Sequence, residues 1–143
     1  MSRRAPWAVA LLTAIVWSSA ARAGGFELSG TAGYWTESSS AFSVTLGKFW
    51  DLPGFQLGPR VGFAYVTSPN STGVPAALVA RVGLGTFYLE GQAGAWFLFS
   101  RDPTARFHAT GGVGLDLGLL RVGVEAGYLN SGGLFAARVS LAL

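Results

Sequence analysis

His108 is the single histidine in the chain, and it shares an alternate row with Arg106 and Thr110. A histidine near a hydroxyl residue raises the question of general-base catalysis. That chemistry needs a nucleophile in hydrogen-bond reach and usually a carboxylate to orient the ring. In the register derived below, His108 faces Leu129, and Glu125 lies four residues along, roughly 13 Å away at ~3.3 Å per residue. The chain has no cysteine, so thiolate metal sites and disulfides are excluded. The run GGVGLDLG at 111–118 has the glycines of a phosphate-cradling loop but neither a lysine nor a following helix. The expectation is therefore a protein that is not an enzyme, with no catalytic, cofactor-binding or metal-ligating residue and no cofactor. His108 reads as a polar filler of an interior row.

The chemistry that does recur is ion pairing. The formal charge is +3, but Arg3, Arg4 and Arg22 lie in the first 23 positions, and residues 24–143 carry seven basic and seven acidic side chains. A neutral domain removes the main support for nucleic-acid binding. Ten of these charges, Glu27, Asp51, Arg60, Arg81, Glu90, Arg106, Asp116, Arg121, Glu125 and Arg138, fall in one alternating phase, opposite the apolar residues. Glu37, Arg101 and Asp102 fall in loops, and Lys48 lies in the apolar phase near a strand end.

The elements that position these charges follow a leader. Residues 1–23 combine a basic start, an apolar run from Trp7 to Trp17 and an Ala21-Arg22-Ala23 site, the pattern of a cleaved secretory signal. The apolar run is well short of the ~20 residues that a spanning helix needs. Arg3-Arg4 is an ordinary basic start, because Ala5-Pro6 stands where a twin-arginine signal has apolar residues. Beyond it, apolar residues recur at every second position, the period of a strand. Eight such rows run from Phe26–Tyr34 to Phe135–Leu143. Two-residue turns are predicted at Pro53-Gly54, Gly85-Thr86 and Gly118-Leu119, the last two with glycine first, as a type II′ hairpin prefers. Polar loops are predicted at 36–40, 68–75, 100–105 and 130–133 on the other side. Asn70-Ser71-Thr72 matches a glycosylation acceptor but reads as a turn. These turns set Arg81 opposite Glu90 and Asp116 opposite Arg121. A last loop centred on Ser131-Gly132 sets Glu125 opposite Arg138, and Gly112 is placed opposite Glu125.

Two closed barrels explain this segregation: a soluble lipocalin-like lipid binder with its apolar rows inward, or a membrane barrel with them outward. A soluble exterior usually carries ~25–35% charged residues, whereas the charged face here is largely Gly, Ala, Ser and Thr. Aromatics gather at row ends, with Phe26, Trp50, Phe55 and Phe87 near the short turns. Tyr34, Tyr65, Phe97, Phe99, Phe107, Tyr128 and Phe135 lie near the loops. Two such girdles match the interfaces of a membrane. The expected fold is all-β: an eight-stranded antiparallel transmembrane β-barrel over residues 24–143. Glu27, Arg60, Arg81, Glu90, Asp116, Arg121, Glu125 and Arg138 form an interior charge network.

With its leader, eight alternating strands and terminal FAARVSLAL, the sequence resembles the small outer-membrane barrels of the OmpA/OmpX type. The resemblance is architectural and spans residues 24–143. It implies a Gram-negative bacterial outer-membrane location, a monomer, contact with outer-membrane lipid, and recognition of the last strand by the outer-membrane assembly machinery. That signal usually ends in Phe, where this chain has Leu143. Short loops depart from adhesin-like relatives. The role implied is structural or at the surface. A narrow channel and a lipid-modifying enzyme, known among barrels of this size, are the alternatives, along with the soluble lipid binder.

Overall fold

Alternating side chains force an extended backbone to present two unlike faces, and a sheet built of such strands must hide its edges to leave no polar group unpaired. In the computed structural model this is achieved by closure. The structure describes residues 25–36, 40–67, 70–99 and 104–143; the predicted leader lies outside them. The elements are β1 (Phe26–Trp35), β2 (Ala41–Lys48), β3 (Trp50–Leu52), β4 (Phe55–Thr67), β5 (Asn70–Leu84), β6 (Phe87–Phe99), β7 (Thr104–Asp116), β8 (Leu120–Leu129) and β9 (Gly132–Ala142). Each strand pairs antiparallel with its neighbours, β2 pairs with β4, and β1 pairs with β9 from Glu27↔Ala142 to Trp35↔Leu134. Segments β2 and β3 keep one register against β4, Gly47 facing Arg60 and Trp50 facing Leu57. They are one strand interrupted at Phe49, so the barrel has eight strands.

The interruption has a local cause. Lys48 and Phe49 lie against Pro59 and Gly58, where proline has no amide to donate. On its other side the Phe49 amide donates to the Gly25 carbonyl at 3.0 Å, one rung beyond the pairing of Phe26 with Lys48. Lys48 stays buried, its Nζ 4.6 Å from the Phe26 ring centroid.

The three predicted short turns are present. Gly85 (φ 73°) and Gly118 (φ 92°) occupy the first central position, where a positive φ is required and glycine adopts it freely. Three sequence expectations need correction. Thr104 and Ala105, placed in the 100–105 loop, open β7 opposite Leu98 and Phe97. Residues 70–75 are strand rather than loop, Asn70 pairing with Thr67 and Ser71 with Val66. Asn, Gly and Pro mimic a turn composition here, yet Pro75 takes a strand position facing Trp96. The last hairpin turns at Asn130-Ser131 rather than Ser131-Gly132, with Leu129 facing Gly132. Asn130 tolerates the left-handed region (φ 58°), which frees Gly132 to join the strand. Arg138 therefore faces Gly123, and Glu125 faces Ala136. The two-residue shift leaves every side chain on its expected face.

The apolar rows point outward: Val44, Phe63, Leu78, Leu89, Val124 and Val139 are all exposed. Inside there are two layers. The short-turn half holds the ion-paired network, and the loop half holds an apolar plug of Trp35, Ala41, Ala64, Val66, Trp96, Leu98, Leu129 and Leu134. The Trp35 indole donates to the Leu129 carbonyl at 3.0 Å across the lumen. Tight curvature crowds the inner face: a Cβ on Gly94 would stand 1.9 Å from the Ala76 carbonyl oxygen, whereas one on outward Gly30 would meet nothing within 4 Å. Gly94→Ala is expected to lower the stability of the folded barrel by about 1–3 kcal/mol, the usual cost of overpacking, with Gly30→Ala near neutral. Urea titration of the two variants in the same detergent checks the contrast.

Candidate functional site: the ion-paired interior

Strands β1, β4, β5, β6, β8 and β9 each send at least one charged side chain into the short-turn half of the lumen, because the strand period repeats the inward phase on every wall. Glu27, 2% exposed, is the hub. Arg81 grips it with two bonds of 2.9 Å, Nη1 to Oε2 and Nη2 to Oε1. Arg60 Nη2 donates to Oε1 at 3.0 Å, Arg121 Nη1 to Oε2 at 2.7 Å, and Ser29 Oγ to Oε1 at 3.2 Å. Glu90 is a second hub, accepting from Arg60 Nη1 at 2.9 Å, Arg81 Nη2 at 2.6 Å and Arg138 Nη1 at 2.6 Å. Arg138 Nη2 reaches Glu125 at 2.8 Å, and Gln92 Nε2 donates to the same carboxylate at 3.1 Å. Arg121 Nε donates to Asp116 at 2.9 Å near the mouth, where Asp116 is partly solvated.

The network thus joins all eight charges read from the sequence, four arginines against four carboxylates. Glu125 and Arg138 meet although they are not register partners. The long guanidinium spans the diagonal that the two-residue shift creates. Buried charges are tolerated only when paired and fully hydrogen-bonded, and here each buried carboxylate is met by at least one guanidinium at charge-assisted distances.

Several participants carry no charge and were not singled out from the sequence. The Phe49 ring lies 4.6 Å from the Arg81 guanidinium carbon and 5.6 Å from that of Arg60, and Tyr88 lies 5.2 Å from Arg81. These aromatic faces add cation–π attraction in a buried site. Ser29 and Ser140 share a 2.9 Å hydrogen bond, and Gln92 links Glu125 to Thr110. The available signal was phase alone, since Phe49 precedes Asp51 by two residues and so shares its inward row.

His108 is buried at the junction of the two layers, its ring 5.9 Å from that of Trp96, and neither ring nitrogen has a hydrogen-bond partner. No hydroxyl or carboxylate engages it as a catalytic pair would require. Arg106 stands over Trp35 at 5.5 Å in the plug half. Among the described residues, no group of three or more His, Asp or Glu is arranged to hold a metal ion.

The aromatics assigned to girdles lie near the two ends of the outer surface. Phe26 is half-buried, and Tyr34, Trp50, Phe55, Tyr65, Phe87, Phe97, Phe99, Phe107, Tyr128 and Phe135 are exposed. With its apolar rows outward, the structure is not the inward-apolar barrel of a soluble lipid binder.

No protein-family model and no curated protein matches the chain. The fold is that of a closed eight-stranded outer-membrane-type barrel, and solved structures share it. A de novo designed transmembrane β-barrel aligns at TM-score 0.67 with 17% identity, covering 85% of this chain and 98% of the other. The outer-membrane enzyme PagL aligns at 0.60 with 16% identity over 82% of this chain and 99% of its own. Neisserial surface protein A, NspA, aligns at 0.51 with 10% identity over 82% and 94%. At these identities the likeness is one of fold.

A hub acid and a peripheral acid separate two expected effects. Glu27→Leu takes one carboxylate from each of three arginines, Arg60, Arg81 and Arg121, and is expected to cost about 3–5 kcal/mol, the range for breaking a buried pair. Glu125→Leu takes a carboxylate from Arg138 alone and is expected to cost less. Equilibrium unfolding of both variants in lipid vesicles gives the order, and equal losses would contradict the shared-hub geometry.

Proposed function

We propose that this chain is an integral outer-membrane barrel of the OmpA/OmpX type, a monomer with a structural or surface role rather than an enzyme. The observation that carries the reading is the inversion of polarity: an exterior of exposed Leu, Val and Phe encloses a neutral, ion-paired and filled interior. In hydrocarbon an unpaired backbone group costs several kcal/mol, and the β1–β9 pairing leaves no sheet edge. The likeness to PagL and NspA supports an outer-membrane location. The girdle aromatics fit the two interfaces, and the outer surface fits direct contact with outer-membrane lipid. The last strand fits recognition by the assembly machinery, and residues 1–23 fit an export signal.

Two features support a non-enzymatic role with little or no conduction. His108 has no partner for proton transfer, and the lumen is blocked twice, by the ion network and by the Trp35–Trp96 plug. An eight-stranded barrel leaves room for little more than its own side chains.

Trp50 lies on the outer surface and Trp35 and Trp96 in the interior. In vesicles of brominated lipid, Trp50 fluorescence is expected to be strongly quenched and that of Trp35 and Trp96 spared, measured with single-tryptophan variants. Equal quenching of all three would overturn the reading, as would recovery of the mature protein from the periplasm without detergent. Planar-bilayer recording is expected to show no conductance steps, and regular steps would favour a channel.

A further inference from the structure

Two prolines stand inside strands of the closed barrel, Pro59 in β4 and Pro75 in β5. Sheets ordinarily confine proline to edges, strand starts and bulges, because it has no N–H for the ladder. A closed barrel has no edge to offer. The β4–β5 pairing accordingly stops after Val61↔Ala76 and resumes at Ala64↔Gly73, leaving out Gly62–Phe63 and Val74–Pro75. The register is the same on both sides of the gap, so no residue is inserted and the site is not a bulge. What is lost is the rung that an N–H at residue 75 donates to Gly62, the residue opposite.

The other edge of β4 is interrupted in the same way. Pairing with β2 ends at Gly47↔Arg60 and pairing with β3 begins at Trp50↔Leu57, again around a proline, Pro59. The ladders β1–β2, β1–β9, β5–β6, β6–β7, β7–β8 and β8–β9 run without a missing pair among the described residues. Both interruptions therefore fall on β4.

A side chain compensates for the weakened ladders. Between the two gaps Arg60 points inward, tied by Nη1 to Glu90 of β6 at 2.9 Å and by Nη2 to Glu27 of β1 at 3.0 Å. Arg60 and Pro75 both line a small lumenal cavity, while Phe63, on the opposite face of the gap, is 77% exposed. The gap thus has the lumen on one side and the outer surface on the other.

We propose that the barrel wall opens locally along β4–β5, a lateral gate between the lumen and the outer surface, with Arg60 as its latch. The device depends on the closed fold and not on the barrel's cellular role.

The test is amide hydrogen exchange, read residue by residue by NMR on the protein in detergent micelles. Gly62, Ala64 and Gly73 lie at the gap, and Gln92 and Thr110 are opposed partners in the unbroken β6–β7 ladder. The first three amides are expected to exchange at least about tenfold faster than the other two. Pro75→Val restores the N–H and is expected to slow the seam amides to the β6–β7 rate. Arg60→Met unlatches the strand and is expected to speed the seam amides at least about tenfold more than those of β6–β7. Should Arg60→Met fail to fold, Pro75→Val carries the test. Equal rates in the two ladders of the unaltered protein, faster opening at β1–β9 than at β4–β5, or seam rates unmoved by Pro75→Val would overturn the gate. Equal acceleration of both ladders by Arg60→Met would overturn the latch.

Discussion

The pairing of β1 with β9 is the contact on which the rest of the molecule depends. While Glu27–Trp35 and Leu134–Ala142 lie apart, two sheet edges stand unpaired and the inward charges face an open sheet. Once they meet, every wall has two neighbours and the inner face becomes a narrow tube. Closure therefore does two things at once. It satisfies the last row of backbone donors and acceptors, and it removes water from the carboxylates and guanidinium groups, which must then find one another.

The shared hubs follow from that narrowness. In a wider barrel each acid would pair with its register partner across one hairpin, as Asp116 does with Arg121. Here Arg60 of β4, Arg81 of β5 and Arg121 of β8 converge on Glu27 of β1, and the same Arg60 and Arg81, with Arg138 of β9, converge on Glu90 of β6. Two acids held by several cations each, with Phe49 and Tyr88 stacked against Arg81, make a cross-braced layer rather than a set of pairs. The plug above it contributes burial on the loop side.

The outward surface has a different logic. A surface that faces lipid, as proposed above, asks only for apolar side chains in the outward phase. Size and shape are consequently loose there, with Gly30, Ala32 and Phe63 all on the outer face, whereas the inner face is constrained to fractions of an ångström at Gly94.

What the sequence determined by itself is what a period of two can encode. Strand existence, the short turns at Pro53-Gly54, Gly85-Thr86 and Gly118-Leu119, the pairs Arg81–Glu90 and Asp116–Arg121, and the segregation of charge from apolar surface were all legible, because each rests on neighbours in one strand or one hairpin. Composition misled where strand residues resembled loop residues, at 70–75, and where a glycine pair drew the last turn one position along. Only the tertiary structure decided which acid each arginine meets, that Glu125 and Arg138 touch diagonally, and that Trp35, Trp96 and Leu129 fill half the lumen. Those outcomes depend on the stagger accumulated around a closed barrel, which brings together residues as distant in sequence as Glu27 and Arg121. No local pattern carries that distance.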